Sequence, residues 1–362
     1  MNRDPKAGRP HRRPTQADVA RLAGVSVPLV SAVVSGSPGS RTIGASTETR
    51  QRVWDAVRTL GYTPNVAARS LAGGSNKLIS VFTYDPVFPA ESQNFYHEFF
   101  VGIEQEADAR GYSLLLVTSS RNAQGDRAIY VDGSNSLQLA DGAVILGGHH
   151  PTGELARLSH DGFPFVHIGR RDVDGAEISY IGADYEEGTV TATRALVELG
   201  HHRIGFAATG IDAPPALERQ AGFVRARREL SLTADETPII PSRSGAVLDH
   251  VLSHRLTGVI LETTWEANRL RRDATAKGIS VPGDLSIISL GGLSRQGSRP
   301  RMARLVIPRK EMGRRAVGTL VELLANPSHP PVQQLLPCEL RLEHTVAPPP
   351  PHSRDSAVQS EG

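Results

Sequence analysis

The sequence of 362 residues contains one cysteine, Cys338. An intramolecular disulfide is therefore excluded, and a reducing compartment, the cytoplasm, is the simplest home. No apolar run reaches the roughly 18 residues that a membrane-spanning helix needs. The first ten residues are polar and basic, without the apolar stretch of a secretory signal. Catalytic motifs are missing as well. Gly147-Gly148 and Gly291-Gly292 follow expected strands, but no GxGxxG, phosphate-loop lysine-serine or Gly-x-Ser-x-Gly elbow accompanies them. The pairs His149-His150 and His201-His202 lack a cysteine or a third clustered ligand, and adjacent histidines diverge on a strand and on a helix. No metal, cofactor or catalytic residue is expected.

What is present is asymmetric. The net charge of +2 conceals a basic head on an acidic body. Residues 1–74 carry eleven Lys and Arg against four acids, or +7, and the remainder carries 29 against 34, or −5. That is the distribution of a chain that meets a phosphate backbone with one end. The length suits two or three domains, and a hydrophobic fraction of 39% supports sizeable cores.

Residues 1–14 read as a disordered basic tail. Helical signals then follow closely. Thr15 is placed to cap a helix from Gln16, with Asp18 reaching back. Ala23-Gly24-Val25 forms the turn, Gly24 supplying a positive φ. Ser26 is placed to cap a second helix over Val27 to Val34, where Pro28 is tolerated in the first turn. Ser46 is placed to cap a third helix over Glu48 to Leu60, with Val53, Trp54, Val57 and Leu60 at helical spacing and Gly61 as its stop. The spacing Ala20…Gly24…Val30 is the skeleton of a helix-turn-helix, and Val19, Ala23, Val30 and Val33 would form its core. Its second helix would enter the major groove. The exposed positions Val27, Pro28, Ser31 and Ala32 suit contact with thymine methyls rather than bidentate guanine reading.

Beyond Gly73-Gly-Ser75 short β-rich runs alternate with amphipathic stretches. Strands are expected at Leu78–Thr83, Ser113–Thr118, Gly142–Leu146, Phe165–Ile168, Ile204–Ala207, Gly258–Leu261 and Ser286–Leu290. Helices are expected at Phe95–Arg110, Glu186–Leu199, Ala216–Leu230 and Trp265–Lys277. Alternating β and α argues parallel sheets covered by helices, in two similar halves. The proline-rich tail, 347–362, reads as disordered.

Asp18-Val-Ala…Ala23-Gly-Val-Ser26…Val30-Ser31, Thr49-Arg50…Val53 and Leu60-Gly-Tyr-Thr-Pro-Asn65…Ala68-Arg-Ser-Leu71 fall in one order. In that order residues 15–73 resemble the head of the LacI/GalR family of bacterial transcription regulators. The resemblance implies a helix-turn-helix domain over 15–61 that contacts DNA through Thr15, Ser26, Val27, Pro28, Ser31, Ala32 and Thr49. It also implies a hinge segment over 62–76, in which Asn65 and Ala68 support Leu71 as a minor-groove wedge. Such a wedge unstacks a base step at a cost of a few kcal/mol, offset by wider contact with bent DNA.

The resemblance extends to about residue 346 through Leu199-Gly-His-His-Arg-Ile-Gly205, Arg219-Gln-Ala-Gly-Phe223, Gly278-Ile-Ser-Val-Pro-Gly-Asp-Leu-Ser-Ile-Ile288 and Ile307-Pro…Met312-Gly313. It implies a core like that of periplasmic binding proteins over 77–346, with two subdomains joined by three crossovers. One subdomain would span about 77–184 plus 308–326, the other about 185–306 plus 332–346. A small-molecule effector, a sugar or other metabolite, would sit between them at the strand C-termini, against Phe95, Tyr96, Arg170, Arg219, Trp265 and Gly291.

The chain also departs from the family. The loop between Ser35 and Thr49 is longer than usual, and Ala32 replaces a polar base-reading residue. Leu290-Gly291-Gly292 lacks the aspartate that relatives often use on ligand hydroxyls, and Glu262-Thr-Thr264 replaces Asn-Asp. A cleft with Arg170 and Arg219 but fewer acids favours an anionic ligand. The expected protein is a homodimeric transcription regulator, most simply a repressor, on a pseudo-palindromic double-stranded operator. Its fold is an all-α head plus an α/β body with parallel sheets. The alternatives are an α/β enzyme or kinase-like protein with a DNA-binding head, and a solute-binding protein, which would have no use for residues 15–71.

Overall fold

The structure is a computed structural model that describes residues 14–35, 46–63, 75–86, 95–147, 152–242, 247–291 and 301–351. The chain divides into two compact units, Met1–Leu78 and Ile79–Gly362.

The first unit is helical: α1 (Gln16–Ala23), α2 (Val27–Ser35) and α3 (Thr47–Leu60). Each boundary has a local cause. The backbone N–H and hydroxyl of Thr15 donate to Asp18 Oδ2 at 2.9 and 2.7 Å, while the Asp18 N–H donates to Thr15 Oγ1 at 3.4 Å. This reciprocal box satisfies donors that the first turn leaves open. Gly24 and Gly61 stop α1 and α3 at φ of 65° and 61°. Ser46 Oγ accepts from the Thr49 N–H at 3.2 Å at the start of α3. Val19, Ala20, Ala23, Val30, Val53, Ala56, Val57 and Tyr62 are buried together, with Val33 and Leu60 at the edge. Two expectations change here. Tyr62, assigned to the hinge, packs into the head core, so the head extends to it. Trp54, counted among the apolar positions of α3 at helical spacing, is 40% exposed because Val53, Ala56 and Val57 already fill the buried face.

The second unit contains two six-stranded sheets among the described residues. In the N-terminal subdomain β1 (Leu78–Thr83), β2 (Ser113–Val117), β5 (Gly142–Leu146), β6 (Phe165–Ile168), β7 (Ser179–Ala183) and β13 (Gln333–Leu336) order as β13-β7-β6-β5-β1-β2. A short hairpin, β3 (Tyr130–Val131) and β4 (Ser134–Asn135), stands apart. In the C-terminal subdomain β8 (Ile204–Ala208), β9 (Ile239–Pro241), β10 (Gly258–Leu261), β11 (Ser286–Ser289), β12 (Ala303–Val306) and β14 (Glu339–Arg341) order as β14-β12-β11-β10-β8-β9. The central pairings are parallel, and β14 runs antiparallel to β12. Helices α4 (His97–Ala109), α5 (Thr152–His160), α6 (Tyr185–Glu198), α7 (Pro214–Glu229), α8 (Val247–Ser253), α9 (Thr264–Ala276) and α10 (Arg309–Ala325) complete the unit. Apolar clusters separate into two for each sheet, as expected for sheets covered on both faces.

The chain passes between the sheets three times: after β7, between β12 and α10, and between β13 and β14. The last passage corrects an expectation. Residues 332–346 do not all belong to the second subdomain, because Gln333–Leu336 pairs in parallel with β7 of the first. The boundary of the expected disordered tail moves as well. The carbonyl of Ala347 accepts from Ser286 Oγ at 3.0 Å and lies 2.9 Å from His201 Nε2, and Pro349 packs on Gly200.

Both subdomains rely on helix backbones in direct contact. A Cβ on Gly102 of α4 would lie 2.0 Å from the Lys310 carbonyl oxygen, and one on Gly313 of α10 would lie 2.3 Å from that of Phe99. A Cβ on Gly222 of α7 would lie 2.3 Å from the Glu186 carbonyl oxygen of α6. We expect Gly102→Ala to cost about 1–3 kcal/mol through overpacking. Denaturant unfolding should reveal this loss beside Gly153→Ala, where an added Cβ meets nothing within 4 Å and the change costs nothing.

Candidate functional site

In the head, the turn at Gly24 leaves α2 with one buried anchor, Val30. Its start is fixed by the Ser26 carbonyl, which accepts from the N–H groups of Leu29 and Val30, both at 3.1 Å. Val27 is 41% exposed and Pro28 is exposed, while Ser31 and Ala32 are half-buried. The tip of the helix is therefore apolar and small, suited to base methyls. Thr15 and Thr49 spend their hydrogen bonds on helix starts, Thr15 with Asp18 and Thr49 with Ser46 and Arg52. Arg21, Arg50, Arg52 and Arg58 are exposed and give the head its positive surface. Asn65, Ala68 and Leu71 of the expected hinge lie outside the described residues.

In the body, the strand order reverses between β1 and β5 in one sheet and between β8 and β10 in the other. Such switch points open crevices at strand C-termini. A cleft opens at the C-terminal ends of β5 and β6, against the start of α7. Phe95, Tyr96 and Arg170, three of the expected effector residues, line it. Tyr96 is held by its own chemistry: its hydroxyl donates to Asp85 Oδ2 at 2.7 Å, and burial together with that bond raises its pKa. Phe95 meets its ring edge-on at 4.9 Å and remains 41% exposed. Arg170 Nε lies 3.9 Å from Glu218 of α7, a pair that spans the cleft.

The other three expected residues are elsewhere. Arg219 does not line the cavity. Its guanidinium stands 4.4 Å over the Tyr185 ring, and Nη2 reaches the Leu290 carbonyl at 3.5 Å. Gly291 acts through its backbone: its carbonyl accepts from Arg309 Nη2 at 3.0 Å, and a Cβ there would lie 2.8 Å from the Thr264 nitrogen. Trp265 is 66% exposed and outside the cavity lining. At about 100° per residue it lies roughly 140–200° around α9 from the buried Ala267, Leu270 and Ala274. It pairs instead with Arg269, 5.6 Å over its ring.

Several cleft residues escaped the sequence reading: Arg171, Tyr185, Pro214, Pro215 and Glu218 line the cavity. Arg171 Nη2 donates to the Gly147 carbonyl at 3.0 Å. The usable signal was position: Arg171 adjoins Arg170, and Glu218 adjoins Arg219. Glu262 is buried, and its carboxylate accepts from the Thr209 N–H at 2.9 Å and from the Thr209 hydroxyl.

Burial pushes the Glu218 carboxyl up to about 7, against the pull of Arg170 and Arg219. The folded chain thus holds a proton that the unfolded chain releases near 4.5. Between those values the native state binds more protons, so stability falls as pH rises through the window. Glu218→Gln should remove this component. Its melting temperature should match wild type near pH 5 and exceed it near pH 8, as scanning calorimetry would report.

Residues 15–65 match the bacterial regulatory proteins of the lacI family, and residues 193–346 match the periplasmic binding protein-like domain. The HTH-type transcriptional regulator CelR of Thermobifida fusca is 28% identical over 345 residues, 92% of this chain and 98% of that one. Catabolite control protein A of Priestia megaterium is 27% identical, covering 85% and 91%. The CelR–cellobiose complex superposes with a TM-score of 0.61 at 24% identity, over 92% of this chain and all of that one. The Lac repressor dimer bound to operator and the anti-inducer ONPF gives 0.70 at 22% identity, over 93% and 100%.

Proposed function

The chain belongs to the LacI family of bacterial regulatory proteins, with a periplasmic-binding-protein-like effector domain, and on that premise we propose how it works. It is a DNA-binding transcription regulator rather than an enzyme, as its relatives are. It acts as a homodimeric repressor in the cytoplasm. Two heads bind a pseudo-palindromic double-stranded operator through Thr15, Ser26, Val27, Pro28, Ser31, Ala32 and Thr49, and Asn65, Ala68 and Leu71 form the hinge. A small-molecule effector occupies the cleft. Its arrival changes the relation of the two subdomains and so the approach of the paired hinge segments, coupling a modest cleft motion to DNA affinity.

One observation carries this reading: the cleft at the strand C-termini is spanned by the Arg170–Glu218 pair, so a ligand there contacts both subdomains at once. The relatives support it, since one is captured as a dimer on operator and another with cellobiose.

Selection of bound sequences from random DNA, with and without a metabolite panel, tests the proposal. A two-fold symmetric consensus whose recovery changes with one metabolite is expected; an asymmetric or absent consensus would overturn the dimeric operator. Leu71→Ala should weaken operator binding roughly tenfold or more, given the few kcal/mol at stake in a wedged step. Affinity should fall steeply with salt, as phosphate contacts release counterions.

A further inference from the structure

The cleft is polarised. Its apolar part is flat: Phe95 and Phe99 on the α4 side, Pro214 and Pro215 on the α7 side, with Tyr185 between. Its polar part is cationic. Arg170 and Arg171 line it, with Arg171 anchored on the Gly147 carbonyl and Arg170 in a long 3.9 Å pairing with Glu218. Two more guanidinium groups lie near Tyr185. Arg219 stacks on the ring, and Arg309, with a side chain only 2% exposed, stands 5.4 Å over Phe95. They donate to consecutive carbonyls, Leu290 and Gly291, and the buried Nε of each has no hydrogen-bond partner among the described residues. Arg309 is already held below the usual arginine range by burial, and Arg219 lowers it further.

Among the described residues, the nearby acids do not balance this charge. Glu98 is half-exposed, 3.6 Å from Arg309. Asp184 is committed to capping α6, accepting from the Glu187 N–H at 2.9 Å. Asp85 accepts from Tyr96, and Glu262 accepts from Thr209. Glu218 is the one carboxylate that lines the cavity among the described residues. A neutral sugar needs several side chains that both donate and accept. Among the described lining residues, the Tyr96 hydroxyl is spent on Asp85, and His167 Nδ1 is spent on the Gly169 carbonyl at 2.6 Å.

We propose that the cleft is built for a small organic acid, whose flat apolar body lies between Phe95, Tyr185 and Pro214-Pro215 and whose carboxylate binds Arg171 and takes Arg170 from Glu218. This inference rests on the cleft being the effector site. A guanidinium forks onto a carboxylate with two parallel hydrogen bonds, whereas the pairing with Glu218 is long enough to be surrendered. Displacing Glu218 from Arg170 while the acid docks makes the ligand exchange one ion pair for another across the same two subdomains.

Calorimetric titration of the full chain with benzoate and phenylacetate, beside their neutral amides benzamide and phenylacetamide, tests the proposal. Glucose, cellobiose and inorganic phosphate form separate arms. The acids should bind at least about tenfold more tightly than the amides, the least expected for a lost charge-assisted hydrogen bond. Arg170→Gln should remove that preference, with circular dichroism melting to report its fold, and Glu218→Gln should tighten acid binding. Equal binding of acid and amide, binding of cellobiose without the acids, or no binding of either acid would overturn the proposal. Phosphate binding as tightly as benzoate would overturn the apolar half of it. Operator binding measured in parallel separates the two readings. Operator binding that responds to cellobiose leaves the regulator intact and removes the acid, whereas acid binding by a chain that ignores DNA does the reverse.

Discussion

Backbone-to-backbone contact between helices, at positions where no side chain fits, is the constraint on which the cleft depends. Gly102 and Gly313 bring α4 and α10 together in one subdomain, and Gly222 brings α7 onto α6 in the other. The N-terminal ends of three of these helices line the cleft: Phe95 and Tyr96 precede α4, Tyr185 opens α6, and Pro214, Pro215 and Glu218 open α7. Arg309 opens α10, 5.4 Å over the Phe95 ring. Close approach fixes the angle and depth of each pair, because a tightly packed interface has no slack to absorb rotation. The functional side chains are thereby held by backbone contacts between helices.

The electrostatics of the cleft follow from that rigidity. Arginines that would spread apart in water are kept near one another by packing. Their charge is met by carbonyls, an aromatic face and a carboxyl that burial drives toward its neutral form. Interactions in such a partly desolvated site are stronger than at a surface. The Arg170–Glu218 pair also joins elements of different subdomains, so the chemistry of binding and the mechanics of the cleft share the same atoms.

The legible parts of the fold were those with local causes. Helix starts at Thr15 and Ser46 and stops at Gly24 and Gly61 follow from short-range hydrogen bonding and backbone sterics. The fully buried strands Gly142–Leu146, Phe165–Ile168 and Gly258–Leu261 were readable as dense apolar runs. Strands that announce themselves poorly were missed. Ser179–Ala183 contains serine and glycine, and Gln333–Leu336 is an edge strand with half its residues exposed. Phe95, Tyr96 and Arg170 line the cleft, whereas Trp265 and Arg219 stand outside its lining, since residue type does not reveal which way a side chain faces.

The sequence alone determined the head, its turn and its charge, because capping boxes, left-handed glycines and a run of basic residues act over a few neighbours. It also determined that the body alternates β and α in two halves. Only the tertiary structure decided which sheet receives Gln333–Leu336, that Arg219 stacks on Tyr185 rather than lining the cavity, and that Glu218 stands opposite Arg170. These are pairings between residues tens to hundreds of positions apart. Local propensity carries no information about them, because they exist only once three chain crossings and the glycine contacts have set the two subdomains face to face.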